Sequence, residues 1–184
     1  MVSYTLTIEQ TGGSGIVVPG RGFLLNNELT DFSAAYVATD PNRIQGGKRP
    51  RSSMSPTIVL DRQGRALYAL GSPGGSTIIT TVLQTLVNRV DLGMTLPEAV
   101  AAPRASHRNA AAVTAEPAFI EQYGDALTAR GYSLVPSGDA FTSAAEIGAV
   151  AALEFRPGGY VLAAAEPARR GGGSAGVVVP TARR

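Results

Sequence analysis

The chain is expected to fold as an α+β domain, and three features of its sequence predict this. Val2, Tyr4, Leu6 and Ile8 alternate with Ser3, Thr5, Thr7 and Glu9, the period of two that marks a half-buried strand. Residues 57–60 and 66–70 are short apolar runs on either side of Asp61-Arg62-Gln63-Gly64, which reads as a hairpin. From 76 to 92, Ile78, Ile79, Val82, Leu83, Leu86, Val87 and Val90 recur at helical spacing, and Gly93 follows as a C′ glycine.

The remaining elements follow in order. After the turn-rich stretch Thr11-Gly12-Gly13-Ser14-Gly15, the apolar runs 16–18 and 23–25 flank a Pro-Gly turn. Residues 33–50 have no clear period and contain Pro41, Gly46, Gly47 and Pro50, so a long surface loop is expected there. Thr95 and Glu98 have the spacing of a capping box, opening a short helix that must stop before Pro103. Pro117 suits a first helical turn, with Phe119, Ile120, Tyr123 and Leu127 on one face and Gly131 as the stop. The stretch from Ala144 to Phe155 serves helix or strand, and the turn Arg156-Pro157-Gly158-Gly159 before a run at 160–165 favours a final hairpin.

Composition removes several chemistries. The chain has 184 residues with no Cys, no Trp and one His, so disulfides, thiolate metal sites and thiol nucleophiles are excluded and no multi-histidine metal centre can form. No cofactor is expected. His107 has no partner pattern that marks it as catalytic and reads as a structural or surface residue. Of the 16 basic residues only Lys48 is not Arg, and Lys48-Arg49-Pro50-Arg51 lacks interleaved aromatics, so it reads as a solvated loop and not a nucleic-acid contact. No apolar run reaches the length of a membrane span.

Three polar clusters have chemical potential. Gly71-Ser72-Pro73-Gly74-Gly75-Ser76 lies between a strand and the start of the strongest helix, where free N–H groups beside glycines make an anion or oxyanion site, or simply a tight turn. Asn26-Asn27-Glu28-Leu29-Thr30-Asp31 places two carboxylates three residues apart, which with Glu9 suit an amino group or shared acid–base duty, or form a solvated turn or cap. In Arg51-Ser52-Ser53-Met54-Ser55-Pro56, two adjacent hydroxyls suit a carboxylate, or belong to an ordinary loop.

Taken together and in this order, Tyr4 to Gln10, Gly22 to Phe32, Arg49 to Thr57 and Gly71 to Ser76 resemble the small subunit of gamma-glutamyltranspeptidases. The resemblance implies part of the four-layer αββα fold of N-terminal nucleophile hydrolases, made as a precursor that cuts itself into large and small subunits. It implies that Glu9, Glu28 and Asp31 hold the α-amino group of a gamma-glutamyl donor and that Ser52 and Ser53 bind its α-carboxylate, aided by an Arg of the large subunit. It further implies an oxyanion hole at the N–H groups of Gly74 and Gly75, and a Thr7 hydroxyl that orients the nucleophile. The partners so implied are the large subunit, a donor such as glutathione, and an amino acid, peptide or water as acceptor.

The family's nucleophilic Thr lies one hairpin upstream of Tyr4. The expectation is therefore an incomplete small subunit over 1–168, truncated before the nucleophile and inactive alone, followed by a Gly/Arg-rich tail at 169–184 with little core to bury. Two alternatives accompany this reading: an acylase acting on glutaryl or cephalosporin side chains, and a non-catalytic binding subunit. Any export signal would lie on the large subunit, which leaves cytoplasmic and exported locations open.

Overall fold

The computed structural model describes residues 1–138 and 146–178 and has an α+β architecture. Strands β1 (Thr57–Leu60), β2 (Ala66–Gly71), β6 (Ala151–Phe155) and β7 (Val161–Ala165) form an antiparallel sheet in the order β1-β2-β6-β7. Helices α1 (Ile78–Val90) and α2 (Leu96–Ala101) cover one face of it. Leu70, Ile78, Val82, Leu96, Val100, Val150, Ala152 and Ala164 make the buried core between these layers. A smaller sheet, in the order β3-β4-β5, joins β3 (Ala105–Ser106), β4 (Val113–Ala115) and β5 (Leu134–Pro136), and α3 (Pro117–Thr128) bridges β4 to β5 as a crossover. Among the described residues no helix is long and apolar enough to cross a membrane.

Both hairpins and all three helices follow the sequence pattern, with local differences that have physical causes. A 3-10 turn at Gly75–Thr77 leads into α1, which ends at Val90, two residues before the expected limit. Its buried face is turned from the apolar stripe: Thr81, Thr85 and Asn88 are buried, whereas Ile79 and Leu83 are more than half exposed. The two threonines tolerate burial because their hydroxyls donate to the carbonyls one turn back, Thr81 to Thr77 and Thr85 to Thr81, each at 2.9 Å. The Thr95–Glu98 capping box forms in both directions, a feature worth about 1 kcal/mol. The small sheet has no signature in the sequence, since its two- and three-residue strands are too short to show a period.

Two expectations are corrected. Residues 2–8 are not a strand of either sheet. They alternate as expected, but with the polar side inward: Val2, Tyr4 and Leu6 are 77%, 73% and 79% exposed, while Ser3, Thr5 and Thr7 are half-buried. A strand needs a ladder of backbone bonds, and among the described residues the 2–8 segment receives one, from Asn27 N–H to the Ile8 carbonyl at 3.3 Å; the Ser3 hydroxyl meanwhile donates to the Leu70 carbonyl at 2.9 Å. The second correction is at Arg169, the first residue of the expected tail. Arg169 is 8% exposed and belongs to a buried ionic cluster with Arg104, Glu116 and Glu166. Ala144 and Ala145, at the start of the stretch of ambiguous pattern, and residues 179–184 of the tail lie outside the described residues.

The cluster joins parts of the chain that are remote in sequence. Arg169 donates to both Glu116 oxygens, at 2.6 and 2.8 Å, and to Glu166 Oε1 at 2.7 Å, while Arg104 donates to Glu166 Oε2 at 2.9 Å. Both guanidiniums also reach carbonyls at the end of α2, where the helix dipole favours a cation. Burial alone would raise the Glu116 carboxyl, but Arg169 and the N–H groups of Ile147 and Arg104 together hold it below its ordinary 4.5. Elsewhere, Arg89, stacked over Tyr68, hydrogen-bonds Glu154 at 2.7 Å and holds that carboxyl down in the same way.

Both carboxyls have folded pKa values below their unfolded ones. Their contribution to stability is therefore complete above the ordinary carboxylate range and is lost as pH falls below it toward the folded values. The urea midpoint is expected to hold from pH 7 to about 5 and to fall steadily below that. A midpoint at pH 3 equal to that at pH 7 would show that the ionic clusters contribute nothing net.

Candidate functional site

An open cleft of about 790 Å³ runs between the 2–9 segment and the uncovered face of the four-stranded sheet. Its floor is made of small residues, among them Ala69, Gly71, Ala151 and Ala163, which leave room above the sheet. All eight residues singled out from the sequence line this one cleft: Thr7, Glu9, Glu28, Asp31, Ser52, Ser53, Gly74 and Gly75. Strand ends and turns bring them together from four separate segments.

The acidic wall comes from a 3-10 turn at Glu28–Asp31, which folds back onto the 2–9 segment. Asn27 anchors that contact twice: its N–H donates to the Ile8 carbonyl at 3.3 Å, and its side-chain oxygen accepts from Gln10 N–H at 3.1 Å. Glu9 adopts the left-handed φ of 66°, which costs a side-chain-bearing residue about 1–3 kcal/mol. Its N–H donates to Thr7 Oγ1 at 2.9 Å, and its carboxylate accepts from the Thr30 hydroxyl at 2.9 Å.

Glu28 is the electrostatic centre of this wall. Its Oε2 oxygen is buried and has no hydrogen-bond partner among the described residues. Burial pushes its carboxyl above the ordinary 4.5, the nearby Asp31 and Glu9 carboxylates push the same way, and the Thr7 hydroxyl opposes them. A buried oxygen with two further carboxylates nearby is unfavourable unless a cation or donor arrives. Among the described residues no cluster of His, Cys, Asp or Glu is arranged as metal ligands would be.

The hydroxyl pair sits on the loop before β1. Ser52 is exposed and its oxygen accepts from Met54 N–H at 3.3 Å, while the Ser53 carbonyl accepts from the Ser55 hydroxyl at 3.0 Å. These local turns hold the loop, and both serines line the cleft.

The diglycine turn follows β2. Gly74 has φ 140° and Gly75 φ 52°, both in the region that favours glycine. Gly74 has no space for a side chain, since a Cβ would lie 2.7 Å from Thr77 Oγ1 and 3.4 Å from Gly148 Cα. A Cβ on Gly75 would meet nothing within 4 Å among the described residues, so its constraint there is φ alone. The Gly74 carbonyl is held by the N–H and the hydroxyl of Thr77, at 3.0 and 2.9 Å. The N–H groups of Gly74 and Gly75 have no partner among the described residues, which suits a site for negative charge at the start of α1.

Sequence reasoning missed three contributors. Ser72, named in the sequence only as part of the diglycine cluster, is 5% exposed beneath the turn, the 147–150 segment packs against it, and Arg170, with a left-handed φ of 54°, also lines the cleft. Pairings such as Ser72 with Ala149 link positions 77 residues apart, for which one sequence carries no signal. His107 lies exposed on the surface, away from the cleft.

The chain is similar to known proteins in both sequence and fold. The chain is 51% identical over 104 residues to the glutathione hydrolase proenzyme of Bacillus subtilis (strain 168), covering 56% of this chain and 17% of that protein. It is 36% identical over 168 residues to the acylase ACY 1 proenzyme of Pseudomonas sp. (strain SE83), covering 90% of this chain and 28% of that protein. The chain thus spans less than a third of the length of either proenzyme. Among solved structures, the gamma-glutamyltranspeptidase from Pseudomonas nitroreducens complexed with L-DON is 37% identical with a TM-score of 0.78, over 97% of this chain and 93% of that one. The α+β architecture accordingly corresponds to part of the four-layer αββα fold of N-terminal nucleophile hydrolases. Residues 1–176 match the family described as gamma-glutamyltranspeptidase, and the chain belongs to that family.

Proposed function

We propose that this chain supplies the donor pocket and oxyanion side of a gamma-glutamyl transferase or hydrolase, working with a large subunit and an N-terminal Thr nucleophile that lie outside its own residues. Glu9, Glu28 and Asp31 hold the α-ammonium of the donor, and Ser52 and Ser53 hold its α-carboxylate. The Thr oxygen attacks the γ-carbonyl, the resulting oxyanion takes hydrogen bonds from Gly74 and Gly75 N–H, and the leaving amine departs with a proton. Water or an acceptor amine then attacks the acyl-enzyme through the same oxyanion site and releases the Thr. Thr7 orients the nucleophile from the neighbouring segment. The outward apolar side chains of Val2, Tyr4 and Leu6 offer the large subunit a surface to cover.

One observation carries this reading above the others: the buried, unpartnered Glu28 oxygen sits beside two more carboxylates in the same cleft as the diglycine turn. An ammonium satisfies that group. A second reading has support from the acylase relative, which covers 90% of this chain. A glutaryl side chain has no ammonium, however, and would leave the Glu28 oxygen unpaired.

The test is to assemble the chain with a large subunit and a Thr-initiated segment and to assay gamma-glutamyl and glutaryl p-nitroanilides side by side. Turnover of the gamma-glutamyl compound and little of the glutaryl one is the expected result. The reverse preference identifies an acylase, and binding of glutamate without turnover of either identifies a binding subunit.

A further inference from the structure

The turn that carries Gly74 and Gly75 is braced from below. Gly148 lies against it with φ 69°, so close that a Cβ there would come within 2.7 Å of Ser72 Oγ and of Thr81 Cγ2. The Ala149 N–H donates to Ser72 Oγ at 3.0 Å, and the Ser72 hydroxyl donates onward to the Pro73 carbonyl at 2.6 Å. The bracing segment is in turn gripped at both ends by buried carboxylates. Ile147 N–H donates to Glu116 Oε1 at 2.8 Å, and Val150 N–H donates to Glu166 Oε2 at 3.2 Å. Arg104, which is 1% exposed, adds a bond to the Ile147 carbonyl at 2.8 Å.

Resting on the acyl-transfer reading above, we propose that Glu116, Glu166, Arg104 and Arg169 are positioning residues for the diglycine turn. They set the 147–150 segment, and the Ala149–Ser72 hydrogen bond passes that setting to Gly74 and Gly75. The chemistry explains why charge is used here. Four buried ions are a costly way to stabilise a core, and apolar residues of similar volume do as well or better. Apolar residues would, however, leave the Ile147 and Val150 N–H groups without acceptors, whereas a carboxylate can take two Arg donors and a backbone N–H at once. The cluster therefore fixes a glycine-containing segment whose own backbone pairs with neither sheet over 147–150.

The test is a double-mutant cycle between two residues at opposite ends of this chain of contacts, Glu116→Gln and Ser72→Ala, read in two ways. In the full chain, amide hydrogen exchange at Thr77, whose N–H holds the Gly74 carbonyl at 3.0 Å, is expected to speed up about tenfold in either single variant. In the assembled enzyme, kcat is expected to fall about tenfold with KM within about twofold, and the double variant is expected to be no worse than the poorer single one. Losses that multiply in the double variant, or unchanged exchange at Thr77, would overturn the proposal. If Glu116→Gln does not fold, Arg169→Lys takes its place in the cycle, since it keeps the charge and loses the fork. If the wild-type assembly does not turn over gamma-glutamyl donors, the functional reading fails, while the exchange measurement still decides whether the brace exists.

Discussion

Gly75→Val is expected to lower kcat of the assembled enzyme by about 100-fold or more, the scale of losing one oxyanion donor. The reason differs from the steric one that a diglycine first suggests. A Cβ at Gly75 would meet no non-adjacent atom of the described residues within 4 Å, so the substitution need not disturb the packing. It does place a β-branched residue at φ 52°, where side-chain-bearing residues are disfavoured by about 1–2 kcal/mol. Relief of that strain would rotate the peptide and re-aim the N–H. Stability should change modestly, because α1 is held by Ile78 and Val82 in the core and not by the turn. The measurement is kcat with KM and an unfolding midpoint for each variant. A Gly75→Val enzyme that turns over like wild type would reduce the diglycine to a strand-to-helix connection. Gly74 is the poorer position for this test, since its Cβ would collide with Thr77 Oγ1 and a loss of activity could then reflect misfolding.

Asp31→Ala should cost about 1.5–3 kcal/mol of donor binding in the transition state, a ten- to hundredfold loss in kcat/KM, because it removes a charge-assisted partner of the donor ammonium. The loss should be large on gamma-glutamyl donors and small on glutaryl ones. The same substitution removes a charge that pushes the Glu28 carboxyl upward, so Glu28 should titrate at a lower pH in the variant. That gives the prediction a second, independent reading. In the wild type, donor binding should weaken as pH falls through the raised Glu28 pKa, because a protonated Glu28 no longer attracts an ammonium; in Asp31→Ala that decline should begin at lower pH. Equal losses on both classes of donor would mean that Asp31 serves the fold of the 3-10 turn, not the substrate.

The sequence alone was sufficient wherever the determining interactions are local. The hairpin of β1 and β2, helix α1, the Thr95–Glu98 cap and the Pro117 start of α3 are each specified within a few residues, by period, cap or turn chemistry. The eight residues singled out from short polar motifs beside apolar runs do meet in one cleft, because such motifs mark where a backbone must stop and expose polar groups. What the tertiary structure decided is everything that depends on which surfaces meet. The 2–8 segment has the alternation of a strand, yet it joins neither sheet, and its polar side, not its apolar one, faces the cleft. The rotation of α1 that buries Thr81 and Thr85 follows from the layer it packs on, since intrahelical bonds make either face buriable. Most of all, the Arg104–Glu116–Glu166–Arg169 cluster joins positions up to 65 residues apart, and charge pairing in water-free surroundings depends on distance in space and not along the chain. No period or motif encodes such a meeting; only the packing of α2, β4 and the chain after β7 brings those four charges within reach of one another.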